Sequence, residues 1–420
     1  MARVEIVVRA RSPLSLGTAK AYGGTVIESG DYIAGAHLRG ALGALKNFVS
    51  SAEQSEIDEL LGTPGQPGIR FPNCYLSDGG LAYPLPLTAR SCKRKSGFIG
   101  RGKRNTDHHG VADTLLMQLV YDRVAGADGA WQIPLPFQYK CPTCGHRTEP
   151  FAGIIELRGP GDYSRPEVSF HRQTRVAINR ARLTAEEGQL YTVQAIDEGS
   201  LFVGSIEIDD ARVKLARKWL TKITRIGGRT SRGFGCVAVE VKGARQSNDL
   251  RYRLDAFNRK YREFEGDLRA IAHEPPDLET RTLFTINLLS DALLRTRDGL
   301  PTLRFDGTML RDVLDGLLTD EEQSQYTLNS FNFKLIAEYT QPQMVSGWQT
   351  AWQLPKEVLL ASRRGGLYVF AAETGDDGDK QELLITLLER LEGAGIGELR
   401  EDGYGQIIVC HPFHLEVNPV

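Results

Sequence analysis

No stretch of the chain approaches the roughly 18 uninterrupted apolar residues of a membrane helix, so no membrane span is expected. The start, MARVEIVVRARSPLSLG, is apolar only until Arg9 and Arg11 interrupt it, which is not the pattern of a secretory leader. Cysteine is scarce and scattered: six residues, of which only Cys141 and Cys144 lie close together in sequence. A chain of 420 residues can bury a core without covalent staples, so no disulfide framework is needed. Charge of either sign is not in excess, the formal net being −2. Membrane, collagenous and disulfide-scaffold classes are thereby set aside, and a soluble cytoplasmic protein of two or three domains is expected.

What is present is unevenly distributed. Residues 1–240 hold 31 Lys+Arg against 24 Asp+Glu, and residues 241–420 hold 20 against 29. The halves thus carry +7 and −9, the asymmetry expected when one half faces a polyanion. Glycine is enriched, 44 of 420 residues against a usual share of about 7%.

The glycines mark an internal repeat. IGGRTSRGFGCV at 226–237 lines up with IGELREDGYGQI at 396–407, matching Gly227, Gly233 and Gly235 to Gly397, Gly403 and Gly405. Each copy follows an amphipathic helical pattern, DDARVKLARKWLTKI or KQELLITLLERLEG, and precedes an apolar strand. A phosphate-binding fingerprint needs strand, glycine loop and helix in that order, so the reversed order here argues against nucleotide binding of that kind.

The flanking segments fit a βαββαβ plan in each half. The first has VEIVVRA, a turn and helix in DYIAGAHLRGALGALKNF, then strands QLYTVQAI and LFVGSIEI. The second has RTLFTINLLS, FNFKLIAEYT and GLYVFAAE. The expected fold class is α+β, with two tandem ferredoxin-like (RRM-like) domains at 1–245 and 282–420. A connecting helix and linker fill 246–281, and an insertion of about 85–165 carries a zinc-knuckle and basic chemistry.

The first glycine loop sets Arg225, Arg229 and Arg232 around Gly227, Gly228, Gly233 and Gly235, with Phe234 between two glycines. Exposed N–H groups can cradle anions, arginines grip phosphates, and an aromatic ring stacks a base. The second loop is acidic, with Glu398, Glu401 and Asp402, and is expected to be structural or protein-facing. The insertion adds SCKRKSGFIGRGKRN, with Lys93, Arg94 and Arg101, and SFHRQTRVAINRAR supplies Arg172 and Arg175. The insertion's basic stretch also reads as a plain solvated loop, and both glycine loops also read as tight turns pinning helix to strand.

KCPTCGHR offers two thiolates at the bite tetrahedral zinc requires. Cys92 and one of His108 and His109 lie in the same insertion, giving an expected structural set of Cys92, His109, Cys141 and Cys144. His37, with Tyr32 and Lys46 nearby in sequence, is a candidate for metal-independent RNA cleavage, the bland alternative being that it only caps a helix.

DYIAGAHLRGALGAL and GGRTSRGFG resemble the RAMP superfamily of CRISPR-associated RNA-binding proteins. HHGVADTLL, CPTCG, TRVAINRARLTAEEGQLYTVQAI and SGWQTAWQLPKEVLLASRRGGLYVF resemble, more narrowly, the RAMP subunit of type III-D effector complexes. The resemblance implies a non-catalytic subunit holding the repeat-derived 5′ handle of crRNA in antiviral defence. Its implied partners are other RAMP backbone subunits and the large polymerase-like subunit, with target RNA met indirectly. Carried over, the handle contacts fall on Arg39, Arg225, Arg229, Arg232 and Phe234, with the basic insertion, Arg172 and Arg175 as further candidates. Repeat-processing endoribonucleases of the same superfamily keep the His37 reading as the alternative.

Overall fold

The computed structural model describes residues 2–17, 26–45, 50, 52–63, 66–99, 107–125, 140–159, 161–179, 181–243, 250–272, 281–319, 322, 331–349, 354–373 and 378–420. Lys46, Arg101 and the expected linker lie outside these residues.

The first sheet is formed by β1 (Ala2–Ala10), β2 (Tyr75–Leu76), β3 (Leu201–Ile208) and β4 (Val237–Lys242). Its spatial order is β4-β1-β3-β2, antiparallel throughout. Val4, Ile6, Val8 and Ala10 alternate along β1 onto one face, where they meet helices α1 (Gly35–Gly43) and α2 (Asp210–Leu220). Asp209 caps α2 by accepting from the Arg212 N–H, and Trp219 and Leu220 close the core beneath it.

Helix α3 (Leu250–Ala272) leads to the second half. Its buried Leu250, Leu254, Phe257, Tyr261 and Leu268 recur at helical spacing and pack along β5 (Arg281–Leu288). After β5 come α4 (Gly307–Asp315), β6 (Phe333–Tyr339), β7 (Leu367–Glu373), α5 (Gly378–Ala394) and β8 (Ile407–Val409). The second sheet runs β6-β7-β5-β8, so in both halves strand one lies between strands three and four. Arg253 of α3 is 4% exposed and binds Glu392 of α5 through two contacts of 2.9 and 2.8 Å.

Two features depart from the sequence expectation. QLYTVQAI does not join the first sheet; it belongs to a strand, Thr184–Ile196, paired with Phe170–Asn179 in a long hairpin. The local pairing prevails because Asn179 Oδ1 accepts from the N–H groups of Ala181 and Arg182 and turns the chain directly back. The sheet position goes to the two-residue β2 instead. The insertion, though it interrupts the first half, packs largely on the second. Its helix Leu115–Ala125 places Leu115, Leu116 and Leu119 in the same core as Phe257 and Phe284. Val111 and Val420 exchange two backbone hydrogen bonds of 3.1 Å, and buried Asp113 meets buried His414 at 2.7 Å.

Candidate nucleic-acid interface

The first glycine loop returns from α2 to β4 across the exit of β1. Gly227 and Gly235 have φ of +85° and +83°, a region that a side chain would strain. Two amides of the loop face inward: Gly228 N–H donates to Ser15 O at 2.8 Å and Gly235 N–H to Pro13 O at 2.9 Å. These amides therefore do not form the anion cradle expected of them. The glycines set the turn, and the arginines are what it presents.

Arg225, Arg232 and Gly233 are exposed, and Arg229 is half-buried. The long hairpin lies over the loop and brings a second group of residues to it. The Arg229 guanidinium stands 5.8 Å from the Tyr191 ring, and Arg232 Nη1 donates to the Tyr191 hydroxyl at 3.2 Å. Arg175 is the cross-strand partner of Tyr191, and its Nη2 donates to Gln173 Oε1 at 2.8 Å. Arg172 is exposed on the same hairpin strand. Burial lowers the Arg229 pKa; Tyr191 opposes this, while the charges of Arg232 and Arg175 add to it. Among the described residues no carboxylate forms an ion pair with Arg172, Arg175, Arg225, Arg229 or Arg232.

Two expected RNA contacts require correction. Phe234 is 2% exposed, packed against Val193 and Ala195, with the Arg175 guanidinium 5.0 Å from its ring centre. It cannot stack a base; the half-buried Tyr191 stands at the surface instead. Sequence reasoning passed over Tyr191, whose only signal was an aromatic on the strand that pairs with the arginines. Arg39 is also occupied. Its Nη1 meets Asp402 Oδ1 at 2.8 Å and its Nη2 donates to Leu61 O at 3.0 Å.

Asp402 lies in the second glycine loop, which packs on the first half. Phe71 N–H donates to Glu401 O at 3.2 Å, and Lys356 Nζ meets Asp402 Oδ2 at 3.3 Å. This loop is protein-facing, as its acidic composition suggests.

His37 sits in the first turn of α1, where its Nδ1 accepts the Ala34 N–H at 3.2 Å. Burial first, and the charge of Lys356 second, lower its pKa to about 4, leaving the ring neutral at pH 7. Tyr32 packs instead with Tyr75, at 5.5 Å, and under the Arg364 guanidinium, at 4.3 Å. Burial raises its pKa, opposing the phenolate a base would need.

In the insertion, one donor atom from each of Cys92, His109, Cys141 and Cys144 lies within 4.8 Å of the others. Cys92 Sγ is 3.5 Å from Cys144 Sγ, and Cys141 Sγ is 3.4 Å from His109 Nδ1. Tetrahedral zinc, with Zn–S about 2.3 Å and Zn–N about 2.0 Å, separates its ligand atoms by roughly 3.5–3.8 Å. The donor set fits such an ion. Burial would raise the Cys92 and Cys141 thiols, but backbone N–H groups of Lys95 and Arg94, and of Cys144 and Thr143, outweigh it and hold both pKa values down. Two knuckles thus face one another. Lys93 and Arg94 lie exposed on the first, Lys93 paired with Glu149 at 3.0 Å and Arg94 beside His146 at 3.3 Å.

Among the described residues no helix is long and apolar enough to cross a membrane. The family model of the RAMP superfamily matches residues 23–238, just over half of the sequence. The chain belongs to the RAMP superfamily. A comparison with curated proteins finds no match. Among solved structures, a chain of the type III-B Cmr-beta complex bound to cognate target RNA and AMPPnP is 14% identical over 96% of each chain, with a TM-score of 0.38. A second structure of that complex bound to cognate target RNA gives 13% identity over 96% of each chain and a TM-score of 0.39. Oligomeric Cmr4 from Pyrococcus furiosus is 15% identical, covering 59% of this chain and 100% of its own, with a TM-score of 0.25.

Proposed function

We propose that this chain is a non-catalytic RNA-binding subunit of a type III CRISPR effector complex, of the III-D kind, that holds the repeat-derived 5′ handle of crRNA. The observation that carries the reading is the arginine face. Arg175, Arg229 and Arg232 converge on Tyr191 from a loop and a hairpin far apart in sequence, with no carboxylate paired to them among the described residues. A protein does not gather unpaired guanidinium groups for stability; phosphates are the counter-ions such a face selects. Arg172 and Arg225 extend it, and Tyr191 offers a ring to a base.

In this reading the two halves are tandem ferredoxin-like domains, 1–245 and 282–420, a view supported by the shared strand order of the two sheets. Structural zinc at Cys92, His109, Cys141 and Cys144 fixes the insertion. The basic knuckle residues Lys93 and Arg94 form a second, smaller phosphate contact. The acidic half meets protein: other RAMP subunits and the large polymerase-like subunit. The absence of catalysis is supported by His37, whose Nδ1 is engaged in capping α1.

The test is binding and cleavage of end-labelled repeat RNA by the purified chain without divalent metal. A protected but intact 5′ segment, lost in R175A/R229A/R232A, is expected. Cleavage that H37A abolishes would overturn the non-catalytic reading.

A further inference from the structure

The long hairpin carries a row of polar side chains that leads into the arginine face. His171, Gln173 and Arg175 alternate along one strand, and their cross-strand partners Ala195, Val193 and Tyr191 lie on the same face. That face packs on Phe234 and meets Arg229 and Arg232 through Tyr191. His171 Nδ1 lies 2.6 Å from Asp197 Oδ1, and Gln173 Nε2 lies 3.0 Å from His171 Nε2. Arg175 Nη2 donates to Gln173 Oε1 at 2.8 Å. Asp197 is itself fixed: its N–H donates to Ser169 O at 3.0 Å, and its Oδ2 accepts from the Ser169 hydroxyl.

The two ends of the row determine the direction of every bond in it. A guanidinium can only donate, so the Gln173 oxygen faces Arg175 and the amide NH2 faces the imidazole. His171 Nε2 must then accept. Hydrogen bonds from Ser169 first and His171 second lower the Asp197 pKa, so its carboxylate accepts and His171 Nδ1 carries the ring's proton. The row therefore holds a neutral imidazole. An imidazolium donates from both nitrogens and cannot accept from the Gln173 NH2. To meet it the amide must turn over, and its NH2 then faces the guanidinium, donor against donor. Protonated His171 and the hydrogen bond from Arg175 to Gln173 exclude one another. Among the described residues the charged group in contact with His171 is Asp197. The next charges along the face are Arg175 and, on the loop, Arg229 and Arg232.

We infer that His171 is a positioning residue for RNA: uncharged, it keeps Arg175 turned onto Gln173, and on taking a proton it frees Arg175 for a phosphate. RNA binding and proton uptake at His171 are then coupled, each favouring the other. The inference rests on the proposed RNA face; the exclusion between the two hydrogen bonds does not.

The test measures affinity for repeat RNA at constant salt between about pH 8 and pH 5.5, where histidine titrates, on wild type, H171Q and Q173L. Wild-type affinity should rise roughly three- to tenfold as pH falls, the worth of one hydrogen bond. H171Q can still donate to Asp197 and accept from Gln173 but takes no proton, so it should stay flat near the wild-type level of pH 8. Q173L frees Arg175 at every pH and should bind at pH 8 about as wild type does at pH 5.5. A Q173L chain that keeps the full wild-type pH dependence would show that added charge alone acts, and would overturn the proposal. So would Q173L binding more weakly than wild type at pH 8, or a folded H171Q that keeps the dependence. A readout without RNA separates this proposal from the RNA face. With labelled arginine, the guanidinium resonance that is missing in R175A should shift across the same pH range in wild type and stay still in H171Q. A resonance that ignores pH, or that moves equally in H171Q, would overturn the row whatever the RNA result. A wild type that shows the shift but binds no repeat RNA would overturn the RNA face instead, and with it the coupling.

Discussion

Arg39 and Asp402 are 363 residues apart in sequence and 2.8 Å apart in space, the carboxylate of one glycine loop held by the first helix of the other half. The arginine is 36% exposed and the aspartate 10%, so the pair is screened on one side only. R39A is expected to lower stability to urea by about 1–2 kcal/mol. RNA affinity should stay within twofold of wild type. A large loss of affinity with unchanged stability would return Arg39 to the RNA face.

Phe234 and Tyr191 separate the roles of the two aromatics. F234A opens a cavity under the hairpin and is expected to cost roughly 3–5 kcal/mol of stability. Y191A should cost clearly less stability than F234A, since the ring is only half-buried against the same cluster, and should weaken RNA binding by about 1–3 kcal/mol. Equilibrium unfolding and filter binding on both variants distinguish them, and the reverse pattern would place Phe234 at the RNA after all.

His37 gives the fold a pH dependence. Its pKa is about 4 in the folded chain, below the ordinary value of 6.5, so the unfolded chain binds more protons between those values. Its contribution is therefore complete above pH 6.5 and lost as pH falls towards 4. H37Q keeps an acceptor for the Ala34 N–H and removes the titration. Wild type should lose more stability than H37Q between pH 6.5 and 4.5, and parallel curves would contradict the assignment.

For the knuckles, elemental analysis should find one zinc per chain, released by a chelator together with a fall in Tm. C92S or C141S should lower metal content several-fold, since each removes a thiolate from the four-donor set. Full zinc occupancy in both variants would exclude these residues as ligands.

The cluster of Cys92, His109, Cys141 and Cys144 was readable because CPTCG fixes two of its side chains by spacing and the insertion offers few others. The glycine-loop repeat was readable for the same reason: glycines at fixed offsets record backbone conformations. What sequence could not supply was which surfaces face one another. Phe234 reads as exposed in GFG until the hairpin covers it, and Arg39 reads as a free cation until Asp402 arrives from the far end of the chain. QLYTVQAI alternates like a sheet strand whether its partner is β3 or Phe170–Asn179, and only the turn at Asn179 decides. The helix Leu115–Ala125 carries no mark in its own pattern of the core it joins.

The most direct measurement is the salt dependence of binding to RNA bearing the repeat-derived 5′ handle, for wild type and R175A/R229A/R232A. Each phosphate neutralised on a single strand contributes about −0.7 to the slope of log K against log salt, so losing three cations should make the slope shallower by roughly 2. That change, with folding intact, is the expected result. An unchanged slope in a folded triple variant would show that the RNA lies elsewhere on the chain.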